Sequence, residues 1–328
     1  MRFLVRRLSM FLFTLWAAMT LNFFIPRMMP SNPVQALEAR TRGHVSAADA
    51  ASILASFGYK PGAGLLAQYF TYLKDMLTGQ WGESIGLSLG EPVRTIVSQA
   101  LPWTLGLIGL TTVIAFLAGN VVGIVAGWRR GGTLDSWLPS TLVITANLPY
   151  YWVGMLLILL FSSTLNWLPA DFNYDPSILP GFSPGFIGSV LQHAALPAFT
   201  LLVTSIGGWI LTMRNNMITT VAEDYVRMAR AKGLPDRKVM YGYAARNAML
   251  PNVSGFAMSL GFVLSGSVLV EYVFNYPGLG YQLLNAVDNN DYPLMQVLFM
   301  LYTVAVLISL LAADFFMMWL DPRAREAR

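Results

Sequence analysis

Residues able to do acid–base or metal chemistry are scarce in the apolar parts of this 328-residue chain. It contains two histidines, His44 and His193, and no cysteine, so disulfides, thiolate metal sites and cysteine nucleophiles are excluded. Asp314 is the exceptional carboxylate within an apolar run, and no H-E-x-x-H, G-x-S-x-G or G-x-x-x-x-G-K-[ST] motif occurs. We therefore expect no catalytic, cofactor-binding or metal site, and no intramembrane proton or ion relay.

The composition indicates that these scarce polar groups belong to an integral membrane protein. Hydrophobic residues make up 55% of the chain and charged residues 12%, whereas a soluble domain carries about 25% charged residues. The net charge of +4 is small and gives no support to nucleic-acid binding.

Stretches without Asp, Glu, Lys or Arg predict six membrane-spanning helices. A span needs about 20 mostly apolar residues, and Pro, Gly and Asn clusters trim the longer stretches to one span each. The predicted spans lie within 8–26, 95–128, 136–170, 176–213, 247–270 and 292–313.

The distribution of basic residues predicts that both termini are cytoplasmic. Arg6 and Arg7 precede the first span, Arg129 and Arg130 follow the second, and the short outer loops near 163–186 and 271–291 contain no Lys or Arg. A cleaved signal peptide is the alternative for the first segment. The absence of an A-x-A site after it favours a retained helix.

The long outer loop, residues 27–94, is predicted to be partly folded. Ser46 and Asp49 are spaced as in a capping box that opens a short helix running through Phe57. Residues 68–77 form a second, amphipathic pattern that Gly79 ends. A packed cap over the helices and a docking surface for an external partner both remain open as its role.

The inner loop, residues 214–246, is the most informative segment. It holds seven basic and three acidic residues in 33 positions. Helical character through 225–232 breaks at Gly233-Leu-Pro235, and Asp236 is predicted to cap a second helix. We expect Val239, Met240, Tyr243 and Ala244 on one side of that helix. The loop is either a helical positive-inside loop or an element that a soluble partner grips.

Three glycines, Gly119, Gly123 and Gly127, recur four residues apart in the second predicted span. Small residues at this spacing let two helix backbones approach closely. The stripe predicts tight packing, either within the helix bundle or against a partner subunit.

The inner loop and several outer motifs together resemble a known family. The loop closely resembles the cytoplasmic signature loop of ABC importer permeases of the dipeptide/oligopeptide/nickel branch. The long loop after the first helix is typical of the B-type permease of that branch. The matching segments are Asp224-Tyr-Val-Arg-Met-Ala-Arg-Ala-Lys-Gly-Leu234, Arg246-Asn-Ala-Met-Leu-Pro251, Gly79-Gln-Trp-Gly-Glu-Ser84, Asn275-Tyr-Pro-Gly-Leu-Gly280, Asp291-Tyr-Pro293 and Leu320-Asp-Pro-Arg323.

This resemblance implies an all-α membrane protein forming one permease domain over residues 1–328. Its parts would be an N-terminal helix (1–26), the outer loop (27–94) and a five-helix core (95–328), with a coupling loop (214–246) between the fourth and fifth helices. In the family, the short helix of this loop enters a cleft on a separate ATPase. The residues that the resemblance assigns to ATPase coupling are Tyr225, Arg227, Ala229, Arg230, Ala231, Lys232, Gly233 and Leu234.

Two details qualify the assignment of these coupling residues. Ala229, Ala231 and Gly233 stand where the family motif has small residues. Arg227, however, stands where the general motif begins with Glu. No specific ion pair is therefore predicted from the motif.

The resemblance also implies a function and a set of partners. The chain would form half of a translocation path with a homologous permease in a bacterial or archaeal cytoplasmic membrane. An extracytoplasmic binding protein would deliver substrate, and two cytoplasmic ATPases would bind ATP and Mg²⁺. The chain itself would be neither an enzyme nor a nucleotide binder.

The substrate and the mechanism have alternatives. Peptides are the expected cargo, short oligosaccharides are an alternative, and nickel chelates fit less well; the substrate-path residues are not assigned. A channel or facilitator working without ATPases, or an intramembrane enzyme, would not require the 225–251 loop.

Overall fold

The chain is mostly helical in the parts that the structure describes. This computed structural model describes residues 2–29, 33–40, 46–56, 64–86, 88–263 and 268–320. Within these ranges the only strand-like pairing is an isolated bridge between Glu83 and Pro92. The α-helices are α1 (Arg2–Arg27), α2 (Pro33–Arg40), α3 (Ala47–Ser56), α4 (Leu65–Thr78), α5 (Val93–Thr104), α6 (Leu110–Trp128), α7 (Thr133–Asn147), α8 (Tyr150–Leu157), α9 (Pro184–Val221), α10 (Asp224–Ala231), α11 (Asp236–Lys238), α12 (Arg246–Ala248), α13 (Leu250–Phe262), α14 (Val268–Val273), α15 (Leu279–Asp288) and α16 (Tyr292–Leu320); π-helical turns cover Leu105–Gly109, Ile158–Thr164 and Val239–Ala245.

Among the described residues, four helical stretches are long and apolar enough to cross a bilayer. They are Arg6–Arg27, Val93–Trp128, Pro184–Val221 and Tyr292–Ala313. They coincide with the first, second, fourth and sixth predicted spans. The prediction of an all-helical membrane protein is confirmed for the described part of the chain.

The predicted third span is divided into two helices. Helix α7 ends at Asn147, and Leu148 adopts extended backbone with φ −74° and ψ 132°. Pro149 favours this break, since the residue before a proline is biased toward extended backbone, although α7 itself continues through Leu138 and Pro139. The apolar helix that follows, Tyr150–Thr164, is shorter than a full span.

The fourth and fifth predicted spans also differ in extent from the sequence prediction. Helix α9 begins at Pro184 and continues to Val221, so the inner loop starts later than residue 214. Within the predicted fifth span, α13 covers Leu250–Phe262, and residues 264–267 lie outside the described residues.

The outer loop contains the two helices predicted for it. Ser46 caps α3, because its hydroxyl oxygen accepts the backbone N–H of Asp49 at 3.2 Å and donates to the Asp49 carboxylate at 2.7 Å. The predicted end of this helix at Phe57 lies outside the described residues. Helix α4 ends at Gly79, whose φ of +73° is the left-handed conformation that glycine accommodates at a helix C-terminus.

The chain divides into two compact units, each with its own apolar core. The first comprises Met1–Thr104, Leu264–Val268 and Pro277–Ile308, and the second comprises Leu105–Val263, Leu269–Tyr276 and Ser309–Arg328. Buried residues of the first core include Phe23, Tyr72, Met76, Val93, Leu279 and Leu298. Those of the second include Ile124, Met213, Met217, Val226 and Val239.

Candidate coupling element

Helix α10, the first part of the predicted coupling loop, is held to the bundle by one apolar face. Val226 and Ala229, three residues apart and therefore on the same side of a helix, are buried in a cluster with Met213 and Met217 of α9. The small Ala229 thus packs against the chain's own helices rather than outward. This burial fixes α10 against the end of α9.

A cation–π contact adds to this attachment. The Arg230 guanidinium carbon lies 4.6 Å from the centroid of the Trp128 ring at the end of α6, within the range in which such contacts are attractive. Arg230 is therefore engaged within the chain. Arg227, by contrast, pairs only loosely with Asp224, at 3.8 Å, and both side chains are exposed.

A left-handed turn at Gly233 ends α10. Gly233 has φ +72°, and its N–H donates to the Arg230 carbonyl at 2.9 Å. A Cβ at this position would meet nothing within 4 Å. Within the chain, glycine is required here by the backbone conformation rather than by close packing.

The structure sorts the eight predicted coupling residues into two groups. Ala229 is buried, Arg230 covers Trp128 and Leu234 is half-buried, so these three hold the element in place. The other five form an exposed surface, to which the structure adds Met228, 59% exposed and not predicted. The sequence signal for Met228 is its position three residues after Tyr225, which places both on the same side of the helix. The outward face, as the term is used below, consists of Tyr225, Arg227, Met228, Ala231, Lys232 and Gly233.

The segment after the turn departs from the predicted second helix. Asp236 is the first residue of α11, and Pro235 occupies the cap position. The following residues wind as a π-helix, in which the phase differs from 3.6 residues per turn. Val239 and Ala244 are buried as expected, whereas Tyr243 is exposed, so its predicted place on their side is wrong.

Residues 223–238 carry exposed side chains of both charges. Exposed basic residues outnumber exposed acidic ones between residues 223 and 238. These residues can therefore present cationic groups to a partner. The basic residues are Arg227, Arg230, Lys232, Arg237 and Lys238, and the acidic residues are Glu223, Asp224 and Asp236.

The glycine stripe of α6 joins this helix tightly to α9. A Cβ on Gly123 would lie 2.7 Å from the Ile210 carbonyl oxygen, and one on Gly127 would lie 2.5 Å from the Met217 Cβ. Gly119 is equally close to Trp209. Of the two predicted roles, the structure shows packing within the bundle. Helix α10 packs against both of these helices.

A chain of three asparagines, of which Asn120 and Asn252 are buried, links these two helices to α13. Asn252 donates to the Asn120 Oδ1 at 2.7 Å, and the Asn120 amide donates to the Phe116 carbonyl at 2.7 Å. Asn216 donates to Asn252 at 3.4 Å. Polar side chains that hydrogen-bond between apolar helices fix their relative rotation, so α13 is tied to the pair that supports α10.

Two other sequence motifs meet at a buried carboxylate. Asp291 accepts hydrogen bonds from the Ser84 hydroxyl and from the Gly86 N–H, the latter at 3.0 Å. It also accepts the N–H of Leu294 at 3.3 Å, which caps α16. A Cβ on Gly86 would lie 2.5 Å from the Asp291 Cβ, so these two segments require a glycine where they touch.

Comparison with known proteins places the chain in one family. Residues 119–326, which include α9 and α10, match the family described as binding-protein-dependent transport system inner membrane component. The di/tripeptide transport system permease protein DppB of Pseudomonas aeruginosa is 31% identical over 340 residues, covering 99% of each chain. The oligopeptide transport system permease protein AppB of Bacillus subtilis is 29% identical over 98% of each chain, and the dipeptide transport system permease protein DppB of Escherichia coli is 31% identical over the full length of both.

These matches agree with the helical, apolar architecture and with the motifs identified in the sequence. They confirm the resemblance read from the inner loop, and they place the protein in the cytoplasmic membrane as a multi-pass component. The chain belongs to the family of binding-protein-dependent transport system inner membrane components, the permeases of ABC importers.

Proposed function

We propose that this permease forms half of the translocation path of a peptide importer and that α10 transmits the closure of partner ATPases to it. The observation that carries the proposal is the outward face of α10, mounted on the α6–α9 pair by Val226, Ala229 and Arg230. A helix buried on one face and exposed on the other is suited to insertion into a partner.

The rigidity of the mounting supports this mechanism. The burial of Val226 and Ala229 attaches α10 to α9, which the glycine stripe joins closely to α6 and the asparagines link to α13. A displacement of α10 by an ATPase would therefore move the attached helices as a rigid body, the kind of motion that switches access from one side of a membrane to the other.

The proposed assembly contains four further subunits. They are a homologous permease, two cytoplasmic ATPases and an extracytoplasmic solute-binding protein. ATP and Mg²⁺ would bind on the ATPases, and this chain would be a transport subunit without enzymatic activity. The single-domain division into residues 1–26, 27–94 and 95–328 is part of the same proposal.

The proposed topology has six crossings and cytoplasmic termini. Besides the four long helices, α7 with α8 and α13 with α14 supply the apolar segments for the third and fifth crossings. The basic residues Arg129 and Arg130, and those of the α10 segment, then lie on one side, as the positive-inside pattern requires.

Peptides are the proposed cargo because the relatives reported above carry peptide, dipeptide or oligopeptide transport in their names. Short oligosaccharides are the alternative that the test distinguishes, and nickel chelates fit less well. A mild-detergent pull-down of the tagged chain is expected to recover a second permease and two ATPases. A co-purifying binding protein is then titrated with peptides and with oligosaccharides.

The coupling role is tested by Ala231→Trp, which adds bulk to the outward face without touching the buried side of α10. Uptake in proteoliposomes is expected to fall at least tenfold while the ATPase activity loses its stimulation by binding protein. Ala222→Trp, at another exposed alanine just before α10, is the matched control and should transport normally. Normal stimulated uptake by the Ala231 variant would refute the assignment.

A further inference from the structure

Helix α4 has an apolar surface that is wider than the part that its own unit covers. With about 100° of rotation per residue, the apolar side chains of α4 span an arc of about 160°. Tyr69, Tyr72, Leu73 and Met76 occupy about 100° of this arc and pack into the core of the first unit. Leu65, in the first turn of the same side, is 62% exposed. The remaining side of the arc lies on the surface, so it is the part that needs an explanation.

That remaining side is strongly exposed. Leu66 is 75% exposed, Phe70 66% and Leu77 73%. The polar residues Thr71, Lys74 and Thr78 are also exposed, beyond these apolar ones around the helix. Going around α4, a protein-facing strip, an uncovered apolar strip and a polar strip therefore follow one another.

Side-chain contacts fix the level of α4 along the first membrane-spanning helix. The Thr20 and Tyr69 hydroxyls are 2.7 Å apart, and the Asn22 amide donates to the Tyr72 hydroxyl at 3.0 Å. Arg27, which ends the apolar stretch of α1, donates to Gln68 at 3.1 Å. Since a helix rises about 1.5 Å per residue, Thr20 lies about 10 Å inside the end of α1.

The surface of α1 at this level is apolar and exposed, as expected of a surface that contacts lipid. Leu21, Phe24 and Ile25 are 62%, 45% and 51% exposed, and they lie within the apolar stretch Arg6–Arg27. Tyr69 and Tyr72 of α4 contact α1 at this level, and Phe70 of the uncovered strip lies between them in the helix. Its surroundings are thus the boundary between acyl chains and headgroups at the Arg27 end of α1.

We propose that α4 is a membrane-surface helix whose Leu66, Phe70 and Leu77 side chains insert among the lipid acyl chains at the Arg27 end of α1. A three-strip arrangement of this kind places the apolar strip in lipid and the polar strip, including Lys74, in water. The tyrosines that join α4 to α1 occupy the position that aromatic residues favour at a membrane interface. The lipid contact would hold the outer segment at a fixed height.

The test uses the fact that the chain has no cysteine. Leu66→Cys, Phe70→Cys and Leu77→Cys are made singly in the full chain, and the complex is reconstituted in phosphatidylcholine nanodiscs after cysteines of co-purifying subunits have been replaced. A bimane label on each cysteine is quenched with lipid carrying bromine on its acyl chains. Phe24→Cys provides the lipid-facing reference, and Thr71→Cys and Lys74→Cys provide the polar-strip controls.

The three test positions are expected to be quenched by brominated lipid to the extent of Phe24→Cys and several-fold more than Lys74→Cys. Aqueous iodide should quench them several-fold less than Lys74→Cys. Strong iodide quenching would overturn the proposal by placing the strip in water. Protection from both quenchers would overturn it by showing that another protein subunit covers the strip.

Discussion

The Ser84 hydroxyl donates a hydrogen bond to the Asp291 carboxylate across a separation of 207 residues in the chain. The same carboxylate receives the N–H groups of Ile85 and Gly86 and caps α16 through Leu294. One buried side chain thereby accepts hydrogen bonds from the backbone N–H groups of a bend and of a helix terminus. Leaving a buried donor unpaired costs free energy of folding. Removing this carboxylate is therefore expected to destabilise the protein by more than the loss of one hydrogen bond.

Removing the Asp291 carboxylate should therefore destabilise the first unit. Asp291→Ala loses a helix cap and leaves several buried N–H groups unpaired, which together cost about 2–4 kcal/mol. Asp291→Asn retains one acceptor oxygen, and we expect about half of that loss. The measurement is the thermal midpoint of the detergent-solubilised protein by tryptophan fluorescence. Asp288→Ala, at an exposed carboxylate three residues earlier, is the control; an equal midpoint for the two alanine variants would contradict the assignment.

The same carboxylate predicts a pH dependence of stability. Burial raises the pKa of Asp291 above its ordinary value of 3.8, although the hydrogen bonds from Ser84, Leu294, Ile85 and Gly86 oppose the rise. The folded protein then holds a proton at pH values where the unfolded chain has lost it. The resulting stabilisation is fully present below pH 3.8 and is lost as the pH rises through the folded-state pKa.

The comparison of wild type with Asp291→Asn isolates this contribution, since other carboxylates titrate equally in both. The thermal midpoint of the wild type, relative to that of the variant, is expected to fall as the pH increases from below 3.8. A difference that instead grows with pH would mean that the four hydrogen bonds outweigh burial and that the folded-state pKa is lowered.

The glycine stripe makes a third prediction. A Cβ on Gly123 would lie 2.7 Å from both the Ile210 carbonyl oxygen and the Met213 Cβ, so the α6 and α9 backbones must separate to admit it. We expect Gly123→Ala to destabilise the second unit by about 1–3 kcal/mol, the usual cost of overpacking. Gly208→Ala, in α9 but with nothing within 4 Å of its Cβ, should be neutral or slightly stabilising.

Resistance to unfolding by sodium dodecyl sulfate, followed by circular dichroism, distinguishes these two variants. A lower detergent midpoint for Gly123→Ala alone supports the close α6–α9 contact. Equal midpoints would show that the helices pack with more room than the distances indicate.

The predictability of these features depends on how local their causes are. The start of α3 follows from Ser46 and Asp49, three residues apart, and the end of α4 from Gly79, so the sequence was sufficient for both. The division at Pro149 also has a local signal, but the apolar stretch around it fits the pattern of one span. Nothing local relates Ser84 to Asp291, because their contact depends on how the helices pack.

The coupling element shows the same contrast on a smaller scale. Spacing alone indicates that Val226 and Ala229 share a face and that Met228 faces the other way. The exposure of Tyr243 depends instead on π-helical winding, and an ideal 3.6-residue period places that side chain incorrectly. The contact between Arg230 and Trp128 joins two helices and has no signature in either.

That contact gives the last prediction. The Arg230 guanidinium lies over the Trp128 ring at 4.6 Å, so a double-mutant cycle with Arg230→Gln and Trp128→Leu should give a coupling energy of about 0.5–1 kcal/mol. Arg227→Gln, at an exposed arginine three residues earlier, should show no coupling to Trp128→Leu. If α10 transmits motion through its attachment to α6, Arg230→Gln should also reduce uptake per ATP hydrolysed, and Arg230→Lys should restore part of it because a cation over the ring is retained. A cycle energy of zero with unchanged uptake would mean that Val226 and Ala229 alone hold α10 to the bundle.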